Sequence, residues 1–98
     1  LAVYIVAQIV IHDRERYANY ETGFMDIFSR HAGKLISVDE QAEVLEGEWP
    51  FTRTVIAEFP SRENALAWYR SDDYQDLAQH RFAASVGNLS LLNGLPGE

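Results

Sequence analysis

The side chains of this chain best suited to chemistry are Glu58 and Arg81, as candidates for catalysis, and His12, Arg53, Trp49, Trp68, Tyr69 and Tyr74, as candidates for holding a ligand. Arg81 is the most informative. Tyr74, Leu77, Ala78, Arg81 and Ser85 recur at the spacing of one helix face, so Arg81 is expected to point inward or along a seam. A guanidinium stays charged at any ordinary pH and needs an acceptor there. Two readings stay open. Arg81 is a clamp for a small carboxylate ligand, or it is scaffolding. As scaffolding it pairs with Glu46, Glu48 or Glu58, or lays its stem flat with the head in water.

Glu58 lies between Ala57 and Phe59 in an apparent strand and faces opposite to both. On a semi-enclosed, partner-facing side, its carboxyl would suit proton transfer. Otherwise it bridges to Arg53 or Arg81 or is simply exposed. Trp68, Tyr69 and Tyr74 read as core packing or as the aromatic wall of a site. Trp49 stands in the turn Glu46-Gly47-Glu48-Trp49-Pro50, where Pro50 restricts it to extended backbone. It is expected at a cavity mouth or across a dimer seam, with Arg53 near enough to pair with Glu46 or Glu48. His12, His31 and His80 share no metal-ligand spacing, and there is no cysteine, so neither a metal nor another cofactor is expected. Only His12, at a strand end, could reach a cleft. Nucleophile-elbow, phosphate-loop and dinucleotide fingerprints are absent.

The elements that must position these residues are legible in the hydrophobic pattern. Ninety-eight residues, 47% of them hydrophobic and 23% charged, make one domain over 1–98. The formal charge is −7, and the eight cations are scattered, so no phosphate-binding cluster forms and nucleic acid is not an expected partner. The longest apolar run, Leu1 to Ile11, is far short of the roughly 20 residues of a membrane span and has no basic leader. A cytoplasmic, membrane-free protein is expected.

Val3 to His12 alternates as a strand, with Val3, Ile5, Ala7, Ile9 and Ile11 on one face and Tyr4, Val6, Gln8, Val10 and His12 on the other. Asp13 is the expected N-cap of a helix over 13–32, and Gly33 its C′ stop. Lys34–Val38 is a strand that Asp39-Glu40-Gln41 interrupts and Ala42–Glu46 resumes. Thr52–Phe59 is the third strand. Ser61 caps a helix to about Arg70. Ser71 or Asp72 caps a further helical stretch, Asp73 to about Ser85, and Val86–Asn93 is the last strand. The tail, Asn93–Glu98, is expected to be loose or docked on a neighbour.

The order β-α-β-β-α-β predicts an α+β, ferredoxin-like fold: a four-stranded antiparallel sheet with helices on one face. The other face carries Tyr4, Val6, Val10 and Ile56 or its neighbours, which is too apolar for a solvated surface. The expected cover is a second copy, sheet to sheet, making a homodimer.

Three stretches carry a resemblance. "DRERYANY" at 13–20, "HAGKLI" at 31–36 and above all "EVLEGEWPFTRTVIAEFPSRENALAWYRSDDYQDLAQHR" at 43–81 resemble the "domain of unknown function 1330" family of the dimeric α/β-barrel superfamily. The match runs over nearly the whole chain. It implies the fold and the homodimer but no reaction. Superfamily relatives include cofactor-independent monooxygenases, muconolactone-type isomerases and haem-handling enzymes. Two departures stand out: Ala32-Gly33 where the family often has Gly-Gly, and Asp39-Glu40-Gln41 where it often has a basic or glycine-containing bend. The expectation is a small metal-independent enzyme acting on a small organic acid or aromatic. Its cavity would lie either between sheet and helices or between the open sheet face and the partner, with the Arg81 helix at one side. The alternatives are a non-catalytic binding or scaffold dimer, or an interface filled by side chains.

Overall fold

The computed structural model of the chain describes residues 1–97. Its elements are β1 (Val3–Ile11), α1 (Arg14–Arg30), β2 (Lys34–Asp39), β3 (Arg53–Phe59), α2 (Arg62–Arg70), α3 (Asp72–Ala84) and β4 (Ser85–Asn93). The strands form one antiparallel sheet in the order β2-β3-β1-β4. This is the expected α+β arrangement, with three helices because Ser71 ends α2 and starts α3. The Ser71 hydroxyl donates to the Trp68 carbonyl at 2.8 Å and accepts from the Tyr74 amide at 3.1 Å, so one residue closes one helix and opens the next. Asp13 and Ser61 cap as expected, accepting from the amides of Arg16 and Asn64.

The end of α1 differs from expectation. The residue in left-handed backbone is Ala32, with φ 65°, not Gly33. The Ala32 amide donates to the Ser29 carbonyl and the Gly33 amide to the Phe28 carbonyl, which is a Schellman ending. Gly33 is required for another reason: a Cβ there would stand 2.5 Å from the Phe28 ring.

The second strand also ends sooner than its pattern suggests. Ala42–Glu46 alternates like a strand but joins no strand among the described residues; residues 40–52 form an irregular, mostly exposed connection. The irregularity in β2 falls between Leu35 and Ser37, where Ile36 is bulged, and not at 39–41. Gly47, at φ +80°, takes the conformation that its place in the turn asks for. Asn93 ends β4 and Gly94 continues its ladder by donating to the Ala2 carbonyl at 2.9 Å. The tail expectation covers Glu98, which lies outside the described residues.

The core lies between the helices and the face of the sheet carrying Val3, Ile5, Ala7, Ile9, Ala57 and Phe59. A run of aromatic contacts fills it: Phe24, Phe28, Phe59, Trp68, Tyr74 and Tyr20 touch in sequence at centroid separations of 4.2–6.2 Å. Among the described residues, no helix is long and apolar enough to cross a membrane.

Candidate functional site

The sheet's inner face carries small residues at its centre. Ala7 and Ala57 lie on β1 and β3, and the helices above them present rings that do not reach down to fill the space. A cavity of about 220 Å³ results between sheet and helices. Sheet residues Ile5, Ala7, Ile9, Val55 and Ala57 form its floor. Tyr17, Tyr20, Phe24 and Phe28 of α1, Trp68 of α2, and Tyr74 and Arg81 of α3 form its roof. Glu21 and Met25, both exposed, mark where it meets solvent.

Arg81 decides the character of this space. It is only 5% exposed. No carboxylate among the described residues pairs with it, and its Nε has no hydrogen-bond acceptor. Its guanidinium instead lies over the rings of Tyr20, at 5.8 Å, and Phe82, at 4.8 Å. Burial works against its charge, but the surrounding tyrosines, Tyr74 first and then Tyr20, more than offset this and hold its pKa above the usual value. The result is a buried, permanently charged cation on an aromatic-lined cavity, with no counter-charge among the described residues. The expected partners Glu46, Glu48 and Glu58 do not reach it. The first two belong to the exposed turn, and Glu58 faces the far side of the sheet.

Beside Arg81 the hydroxyls of Tyr20 and Tyr74 meet at 2.7 Å. Desolvation, followed by the neighbouring Tyr74, lifts the Tyr20 pKa well above that of a free phenol. Burial likewise raises that of Tyr17, whose ring lies under the Arg53 guanidinium at 5.6 Å. Arg53 also lines the cavity but is neutralised. It bridges to Glu40 at 2.8 Å and to Glu21 at 3.4 Å, not to Glu46 or Glu48. Glu40 in turn holds Arg14 at 2.8 Å. With the Arg14 and Arg53 hydrogen bonds on it, the Glu40 carboxyl is held down at about 2. The departure Asp39-Glu40-Gln41 thus supplies the acid that ties the β2–β3 connection to α1.

The sequence candidates divide. Arg53, Trp68, Tyr74 and Arg81 come together on the cavity, and the indole N–H of Trp68 is buried without a partner. Tyr69 lies beside Trp68 on a second, shallower hollow against β4. His12 is exposed beyond β1, where its amide donates to the Ala84 carbonyl. Glu58 pairs in the ladder with Tyr4 and Lys34, so strand parity puts it opposite Ala57, away from the cavity. It makes no ion pair with Arg53 or Arg81, which stand on the other side of the sheet. Trp49 donates from its indole N–H to the Thr54 hydroxyl at 3.2 Å and stacks edge-on against Phe51. Since Thr54 also faces away from the helices, Trp49 attends the open face and not the cavity. Tyr17, Tyr20 and Glu21 were not singled out from the sequence. The helical spacing of Tyr17 and Tyr20 marks them as buried, but nothing in it tells a cavity wall from solid core. Among the described residues no group of three or more His, Cys, Asp or Glu side chains is placed to hold a metal.

The family described as "domain of unknown function (DUF1330)" matches residues 2–95. The chain belongs to that family. No curated protein matches it. Among solved structures it is similar to RPA0582, a protein of unknown function from Rhodopseudomonas palustris. That likeness has a TM-score of 0.82 and 22% identity over 96% of this chain and 82% of that one. It is similar to SnoaB, a cofactor-independent oxygenase from Streptomyces nogalater, with a TM-score of 0.70 and 13% identity over 99% of this chain and 98% of that one. HapK from Hahella chejuensis gives a TM-score of 0.63 and 13% identity over 98% of this chain and 95% of that one. At these identities the likeness is one of fold, the ferredoxin-like dimeric α/β-barrel type.

Proposed function

We propose that this DUF1330 protein takes a small aromatic or organic acid into the cavity between sheet and helices, and acts on it without a metal. The observation that carries this is Arg81, a buried guanidinium on an aromatic-lined space with no acidic partner among the described residues. The surrounding rings and hydroxyls hold the charge in place, but no carboxylate among the described residues neutralises it, so an entering anion would meet a buried cation able to pair with it. Sharing a fold with a cofactor-independent oxygenase puts metal-free chemistry within the reach of this architecture, though fold alone does not assign it. The unit we propose is a homodimer joined through the open sheet faces, in the cytoplasm, a setting that the lack of cysteine suits. A second reading, a non-catalytic binding protein, draws on the same cavity and is favoured by the absence of any unpaired carboxylate among the described residues on its inner wall.

The test is a thermal melt of wild type and Arg81→Met, with and without a panel of aromatic carboxylates. Methionine keeps the packed stem and deletes the charge. We expect the ligand-free variant to lie within about 1 kcal/mol of wild type or above it, since replacing a buried charge that has no ion-pair partner by an apolar chain is often neutral or stabilising. The carboxylate-induced shift should vanish. A large loss of stability in the ligand-free variant, with no carboxylate shifting the wild type, would leave Arg81 as scaffolding and end the proposal.

A further inference from the structure

The Tyr20–Tyr74 pair sharpens the ligand class. Two phenolic hydroxyls carry two hydrogens, and their mutual bond at 2.7 Å uses one. The other has no acceptor among the described residues, and both residues line the cavity. Arg81 stands over the Tyr20 ring, so the spare hydrogen and the uncompensated positive charge belong to the same corner of the space. The remaining charged and titratable groups around that corner are Tyr17 and Glu21 of α1, Arg53 of β3 and Tyr69 of α2. Glu21 and Arg53 neutralise each other. Arg81 already shares a hydrogen bond with the Tyr74 hydroxyl, but among the described residues no unpaired carboxylate on the inner wall competes with an incoming anionic oxygen for the donors.

We infer that Tyr20, Tyr74 and Arg81 form an oxyanion-binding corner, and that the molecule it receives is a phenol or enol held there in its ionised form. This rests on the cavity being the ligand site. A single oxygen suits the corner, because it takes one hydrogen bond from the tyrosine pair and the charge of Arg81 from the side. Tyr20 does not give up its own proton, because burial disfavours its ionised form. The proton lost by the ligand goes to solvent, and no bond other than its O–H is broken. Holding an enolate or phenolate on preorganised donors and charge makes its carbon framework more nucleophilic.

The probe is para-nitrophenol, which ionises near neutral pH and is yellow only as the anion. It is titrated in the presence of excess full-length protein, with benzoate as a carboxylate of similar ring size. The expected result is that bound para-nitrophenol ionises about one pH unit or more below the free probe, roughly a tenfold preference for the anion. Tyr74→Phe and Tyr20→Phe should each reduce the shift and Arg81→Met should abolish it, with melting curves confirming that the variants fold. The wild-type colour change needs no variant. Benzoate raising the melting temperature while para-nitrophenol binds with unshifted ionisation, or does not bind, would overturn the oxyanion corner and leave the carboxylate cavity standing. Neither probe binding would overturn both.

Discussion

Arg81 and Ala57 act as a pair of opposites across the cavity. One brings a charge that no carboxylate among the described residues answers, and the other withholds the side-chain volume that would have filled the space. Ala57 is 4% exposed and central in β3, so a larger residue there would project into the cavity without meeting solvent. Ala57→Ile should therefore fold, since the added carbons bury about 0.8 kcal/mol each where room exists and β-branching suits a strand. Melting should show stability unchanged or raised, and the response to aromatic acids should be lost. A loss of several kcal/mol would instead mean that the floor is packed tight. From sequence the facing of Arg81 was legible, because helical spacing tied it to Tyr74 and Ala78. That no carboxylate among the described residues meets it was not. Whether Glu46, Glu48 or Glu58 could reach it depended on the parity of β3 and the path of the 40–52 connection, which are set by long-range pairing.

Element boundaries follow the same division between local and distant causes. Asp13, Ser61 and Ser71 declare their caps because a cap is a contact three residues long. Ala42–Glu46 misleads because alternation alone does not provide a neighbouring strand to pair with. At the end of α1, a glycine at position 33 drew the stop one residue too far. Ala32→Gly tests the observed ending. It relieves an L-residue at φ 65°, worth roughly 1–2 kcal/mol, and adds freedom to the unfolded chain worth about 0.4–1 kcal/mol. A net gain of about 0.5–1 kcal/mol is expected in denaturant unfolding; a loss would contradict the Schellman geometry.

Glu40 tests the tie between the β2–β3 connection and α1. Its folded pKa, about 2, lies below the ordinary 4.5, so its contribution is full above pH 4.5 and is lost as pH falls toward 2. Glu40→Gln should lower the melting temperature at neutral pH modestly, by about 1 kcal/mol or less for so accessible a network. The gap to wild type should close as the pH is lowered through that window. A gap independent of pH would remove the carboxylate from the account.

At the scale of the molecule the open question is the second face of the sheet. Val10, Val86 and Leu92 stand on it, 37%, 70% and 49% exposed, in ladder positions that put them on the side of Tyr4 and Val6. Such a face favours a partner, and we expect light scattering after size exclusion to give about twice 11.2 kDa at micromolar concentration. A folded, soluble monomer would remove the dimer. Because the cavity lies wholly within one copy, ligand binding should survive a change of oligomeric state.

The positions of the two tryptophans have a spectroscopic consequence. Trp68 is 3% exposed on the cavity wall, while Trp49 is 40% exposed over Thr54 on the opposite side of the sheet. The chain therefore carries two fluorophores in separate environments, one able to sense cavity occupancy and the other able to sense self-association. With Trp49→Phe the remaining emission should be short-wavelength and quenched by aromatic acids, yet indifferent to dilution. With Trp68→Phe, dissociation of the proposed dimer on dilution should shift the emission to longer wavelength, and the ligand should leave it unchanged. One instrument would then separate the binding equilibrium from the assembly equilibrium without a label.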